Sequence, residues 1–215
     1  TDAAGNSSEQ AVALAINDQP EGLNISIGGI TINASLSSYS TLQDIDSDAV
    51  LSNGDSTLTL TGNTWTKADL LTGSSPNGYT ITENTFLSFS FDSSVEGEIQ
   101  GIGFDNDDNI SSNQTFQLAG SQSWGLQNYR NYTTGSGAQT YTIPVGQFYT
   151  GSFQYLTFLN DDDLSNAPNP LATDSFSNIQ LFEDTTAPIF TSASTAAAID
   201  ENSGAAQVVY TATTS

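Results

Sequence analysis

The chain has 215 residues, and two basic side chains, Lys67 and Arg130, face 24 acids for a net charge of -22. That balance excludes nucleic acid as a partner and argues against an anionic membrane surface, since phosphate binding needs Lys and Arg. With no Cys and no His, disulfides, thiolate chemistry, the Ser-His-Asp triad and cysteine nucleophiles are excluded too.

A hydrophobic share of 36% with 10% aromatics is enough for a packed core. No stretch approaches the length of a transmembrane helix, so no membrane insertion is expected. The Ser/Thr/Asn/Gly-rich, Lys-poor make-up points to a secreted or cell-surface protein. Divalent cations and neutral polymers suit so acidic a chain, because bound cations relieve its self-repulsion.

Residues 1–22 read as a polar N-terminal segment with one apolar patch, Ala11 to Ile16. From residue 23 the apolar period becomes two. "LNISIGGITIN" (23–33) alternates through Leu23, Ile25 and Ile27 and resumes at Ile30 and Ile32. Gly28-Gly29 shifts the phase and predicts a bulge or kink. "TLQDI" and "TKADLL" are candidates for short helical turns. Strands are expected at 56–62, 78–82, 85–93, 98–105, 114–120, 139–145, 153–160 and 175–183. In the fourth of the nine strand segments, Leu87, Phe89 and Phe91 share one face and Ser88 and Ser90 the other. Turn residues separate these strands at intervals typical of an all-β sandwich. At residue 184 "DTTAPIF" reads as a linker, and 184–215 holds two further strands at most, too few to bury a core.

Two strands end in nearly the same phrase: "GIGFDNDDN" (101–109) and "YLTFLNDDDL" (155–164). Calcium takes six to eight hard oxygens from carboxylates, amides and carbonyls. Asp105, Asn106, Asp107, Asp108, Asp161, Asp162 and Asp163 offer them from compact loops, with Asp105, Asp107, Asp161 and Asp162 leading. Similar strand endings predict loops that converge at one edge of the sandwich. The alternative is a pair of solvated Asx turns. A third acidic run, "DIDSDAVLSNGD" (44–55), sets Asp44, Asp46 and Asp48 at alternate positions. None of the three is an EF-hand, since the turn Gly and closing Glu are absent.

"SQSWGLQNYRNYTT" (121–134) places Trp124, Tyr129, Arg130 and Tyr132 in a polar segment, where exposed rings would stack on sugars. The alternative is that Trp124 plugs one end of the core. Trp65 reads as structural. Tyr149 and Tyr155 flank a turn. A glycosidase carboxylate pair is chemically open, yet the acids cluster like metal ligands, so no enzyme is expected.

Residues 23–183, through "IGFDND", "YLTFLNDDD" and "DSFSNIQLFE", resemble the jelly-roll β-sandwich of carbohydrate-binding modules. The resemblance implies acidic loops near a glycan site, with calcium as cofactor. Residues 184–215, through "APIF" and "IDENSGAAQVVYTAT", resemble the opening of a bacterial cadherin-like repeat, in which Glu201 would be a calcium ligand. The expectation is thus an all-β chain: a jelly-roll-type antiparallel β-sandwich with a short C-terminal two-strand extension. Its expected role is a non-catalytic, calcium-stabilised extracellular module binding polysaccharide for adhesion. The alternative is a subunit of a homopolymeric filament or surface array, in which Val208, Val209, Tyr210 and Thr211 are donated as a strand to a neighbouring copy.

Overall fold

The computed structural model describes residues 22–71, 77–163 and 171–186. Thirteen strands run in chain order: β1 (Gly22–Ile27), β2 (Ile30–Ser38), β3 (Asp48–Ser52), β4 (Thr57–Thr61), β5 (Thr64–Asp69), β6 (Tyr79–Ile81) and β7 (Thr85–Val95). They continue with β8 (Ile99–Asp105), β9 (Thr115–Ala119), β10 (Gln139–Ile143), β11 (Gly151–Phe153), β12 (Tyr155–Asp161) and β13 (Thr173–Glu183). Among the described residues the helical content is two single 3-10 turns, Ser112–Gln114 and Val145–Gln147. The fold is all-β. The two-strand extension, Glu201 and the candidate assembly residues Val208, Val209, Tyr210 and Thr211 lie outside the described residues, as does the N-terminal segment to residue 21.

Eleven of the strands form two layers, and β6 pairs with β11 in a separate two-stranded sheet. In the first, β10, β7 and β13 lie side by side, and the far edge of β13 is shared by β4, which carries β3, and by β1, which carries β2. In the second, the end of β2 pairs with β5, followed by β12, β8 and β9. β2 therefore runs through both layers and joins them. Pairing is antiparallel except between β1 and β13, which meet in parallel at Ser26↔Gln180 and Ile27↔Leu181, so the sheet is mixed and not wholly antiparallel.

Gly28 and Gly29 do not bulge a single strand. Both have positive φ, 57° and 84°, and Ile27 pairs directly with Ile30. They form the two-residue turn of a hairpin, whose handedness needs φ > 0 at both central positions. "TKADLL" is not helical; it supplies most of β5. Its side chains are buried on both faces of the layer, and such a strand loses the alternation that marks one.

The core fills the space between the layers. Leu87, Phe89 and Phe91 point inward and are fully buried. Phe176 of β13 packs against Phe89 and Phe91 in its own layer, at 6.1 and 5.1 Å between ring centroids, and against Phe158 of β12 across the core at 5.1 Å. The outer face of the second layer is covered as well. There Tyr39, Trp65 and Leu159 form a second apolar cluster, with Trp124 packed on it.

Asp174 is a carboxylate inside the core. It shares the inward face of β13 with Phe176 and is 1% exposed, and neither carboxylate oxygen has a hydrogen-bond partner. Burial pushes its pKa well above the ordinary carboxylate value. A raised folded pKa means that stability is full below the unfolded value and falls as pH rises through the folded one. Asp174→Asn removes that ionisation cost, and is expected to stabilise the fold by about 1–3 kcal/mol at alkaline pH and by less in acid. Urea denaturation of both proteins at pH 4 and pH 8 checks this: a difference that does not grow with pH would refute it.

Candidate metal centre

The two acidic loops sit at opposite ends of the second layer. β8 and β12 are antiparallel neighbours, with Tyr155 opposite Asp105 and Asp161 opposite Ile99. Asp105 and Asp161 are thus six register steps apart along β12, about 20 Å at 3.3 Å per residue. The expected convergence of 105–109 with 160–163 is corrected for a simple reason: loops that leave the C-termini of two antiparallel neighbours point in opposite directions.

The loop at 105–109 satisfies itself. Asp105 is buried and accepts a hydrogen bond from the Tyr39 hydroxyl, and its other oxygen accepts from Asn106 N at 2.7 Å. Burial and the Asp105 carboxylate together raise the Tyr39 pKa. Asn106 bonds to the backbone of Ser152 and Gln154. Asp107 accepts from Asn109 N at 2.7 Å, an Asx turn, and these bonds hold its pKa below the ordinary value. Asp108 pairs with Lys67, whose ammonium lies 4.5 Å from the centre of the Tyr155 ring. The third run is a brace of the same kind. Asp44 accepts from Trp65 N and Ser47 Oγ, and Asp46 accepts from Asn63 N at 2.7 Å.

The other end of the layer is different. Glu98, in the turn leading into β8, meets the end of β12, and one oxygen each from Glu98, Asp161 and Asp163 lie within 4.8 Å of one another. Two oxygens bound to one calcium ion at about 2.4 Å can be at most about 5 Å apart, so this spacing fits a shared cation. Glu98 and Asp161 are buried, while Asp163 is exposed and leaves room for water ligands. Backbone bonds fix the geometry: Glu98 N donates to Asp161 O at 2.7 Å, and Asp163 N to Glu98 Oε2 at 2.9 Å.

Some buried oxygens at this end of the layer lack a hydrogen-bond partner. Asp161 is 7% exposed, and its Oδ1 accepts no hydrogen bond. Its pKa is lifted to about 6, first by burial, then by the charges of Asp163 and Glu98; the nearby Trp65 indole partly offsets this. Asn63 immediately precedes Thr64, which pairs with Asn160, so it enters β5 at the same end of the layer as Asp161. Asn63 is 4% exposed with an unpartnered Oδ1, the neutral amide donor that a calcium site accepts. Asp162 is outside the group of three: its Oδ2 accepts from Ala172 N at 2.9 Å, while its Oδ1, also buried, has no partner. The donors are all oxygen, which suits calcium or magnesium and not zinc; a partly open, irregular set suits calcium better than the strict octahedron of magnesium.

Of the residues expected from sequence, then, Asp161 and Asp163 come together, and Asp105, Asn106, Asp107 and Asp108 are engaged elsewhere. Glu98 and Asn63 were missed. They lie just before strand starts, and only the pairing of β5 and β8 with β12 brings them to the end of that strand.

The aromatic platform does not form. Tyr132 is 9% exposed; its hydroxyl donates to Asp92 Oδ1 at 2.7 Å and accepts from Ser93 N at 3.1 Å, and its ring packs on Phe91. Tyr129 packs edge-on against Phe116 and Phe148. Arg130 is bound to Gly120 O and Ser123 Oγ, each at 2.6 Å. Trp124 is half-buried, with its ring edge-on to Trp65 at 5.7 Å. Tyr129 and Tyr132, in a segment that crosses the edge of β9, are drawn to the core, because burying such rings outweighs exposing them. Tyr132→Phe should therefore destabilise the fold by about 1–3 kcal/mol, since Ser93 N loses its acceptor in a buried setting; equal urea midpoints for variant and parent would refute this.

Among the described residues no helix is long and apolar enough to cross a membrane. In comparisons with known proteins, no family model matches the chain and no curated protein matches it.

Proposed function

We propose that the chain is a non-catalytic β-sandwich module of a secreted or cell-surface protein, stabilised by calcium and serving in adhesion. The observation that supports this reading best is the Glu98–Asp161–Asp163 group with its buried, unpartnered Asp161 oxygen. Three carboxylates so close oppose folding unless a cation neutralises them. Outside the cell, calcium is plentiful enough to fill a site of modest affinity. The adhesive partner in this reading is a neutral polysaccharide, because an anionic one would be repelled by a charge of -22. Half-buried Trp124, flanked by exposed Ser123, Gln127 and Asn128, is the surface for it. Affinity electrophoresis through gels of neutral polysaccharides, with calcium and with chelator, tests this. Retardation that needs calcium and Trp124 supports the reading, and free migration through every polymer refutes the adhesive part of it.

The second reading is self-assembly into a filament or array, with strand donation by 205–215. It draws on β10, an end strand of the first layer among the described residues, whose sequence "QTYTI" carries no charge. Uncharged open edges accept added strands. A chain ending at residue 184 that polymerises as well as the full chain would exclude donation.

A further inference from the structure

The loop that follows β9 is tied to the candidate metal centre by two separate arms. The first runs through Glu98. Its backbone carbonyl accepts from Gln122 N at 2.9 Å, its Oε1 accepts from the Gln122 side chain, and Ser121 N donates to Gly97 O at 3.1 Å. The second runs through the tryptophans. Trp65 pairs with Leu159, two residues before Asp161 on the same face of β12, and Trp124 of the loop packs edge-on against Trp65. Between the arms the loop is braced as one unit. Gln117 Nε2 donates to Gln122 O at 2.7 Å, and Gln117 Oε1 accepts from Trp124 N at 3.0 Å and from Gln127 Nε2 at 2.8 Å. Arg130 closes it back onto Gly120 O and Ser123 Oγ.

We infer that cation binding at Glu98, Asp161 and Asp163 holds the 121–130 loop in place, so that the surface carrying Trp124 is displayed by the cation-loaded protein. The inference rests on the cation reading proposed above. Glu98 uses both carboxylate oxygens within this network, one toward Gln122 and one toward Asp163 N. A cation draws Glu98 and Asp161 together and fixes both arms. Without it, mutual repulsion separates the same carboxylates, which pulls on Gln122 and shifts Asp161 against the Trp65 ring. Trp124, Leu126 and Tyr129 anchor the loop, while Ser121, Gln122, Ser123, Gln127 and Asn128 are exposed, so its polar part can open locally at a cost below that of global unfolding.

Hydrogen exchange of the wild-type chain, with calcium and with chelator, measures the loop directly, while calorimetric titration with calcium chloride measures binding. The expected result is binding together with roughly tenfold slower exchange across residues 121–130. Gln122→Ala cuts the arm from Glu98 to the loop, so it should lose the slowing even at saturating calcium. Trypsin gives an independent reading. Lys67 and Arg130 are the only basic residues, and Lys67 is buried within β5; so in calcium, cleavage after Arg130 should be faster for Gln122→Ala than for the parent. Calcium binding with unchanged exchange in the loop would overturn this inference and leave the cation site standing. No binding heat and no change in exchange would overturn both.

Discussion

Calcium at about one hundred times its dissociation constant should stabilise the protein by about 2.7 kcal/mol, because a ligand bound only by the folded state shifts the equilibrium by mass action. For a chain of this size that corresponds to a rise of about 5–10 °C in melting temperature. Asp161→Asn gives the sharper result, because its effect should change sign with conditions. In chelator the substitution removes a buried charge that faces Glu98 and Asp163, so the variant should melt at or above the parent temperature. In calcium it removes a ligand, so the variant should melt below the parent. Scanning calorimetry of both proteins in both buffers checks this. Two proteins with the same response to calcium would mean that Asp161 holds no cation.

The largest loss of stability is expected at Phe176. Its ring meets Phe89 and Phe91 on one side and Phe158 on the other, so it closes the space between the two layers. Phe176→Ala deletes a fully buried ring where neighbours on both layers are held by strand pairing and cannot collapse into the gap. The cost should be about 3–5 kcal/mol, against about 1 kcal/mol or less for an exposed apolar side chain such as Val50. Urea denaturation of Phe176→Ala and Val50→Ala makes the comparison, and similar midpoints would refute the assignment of Phe176 to the centre of the core.

Local pattern carried the all-β architecture and most of the strands. β7 shows why: one face meets the core and the other does not, so its sequence alternates with its burial. β5 shows the limit. Both of its faces are covered, alternation disappears, and "TKADLL" looks as much like a helical turn as a strand. β3 was hidden for another reason. Val50 and Asp48 are exposed, and the acidic text around them suggested a loop.

The sequence by itself determined that this is an acidic all-β chain without His or Cys chemistry, rich in oxygen donors at the ends of its strands. Which donors meet was decided by the tertiary structure. Two similar phrases, "FDNDD" and "LNDDD", suggested one shared site, but antiparallel pairing of β8 with β12 sends them to opposite ends. The same pairing brings Glu98, which precedes one strand, to Asp163, which follows the end of the other. Composition records how many ligands a chain has; strand direction and register are set by pairings between distant segments, and those determine which ligands lie within reach of a single ion.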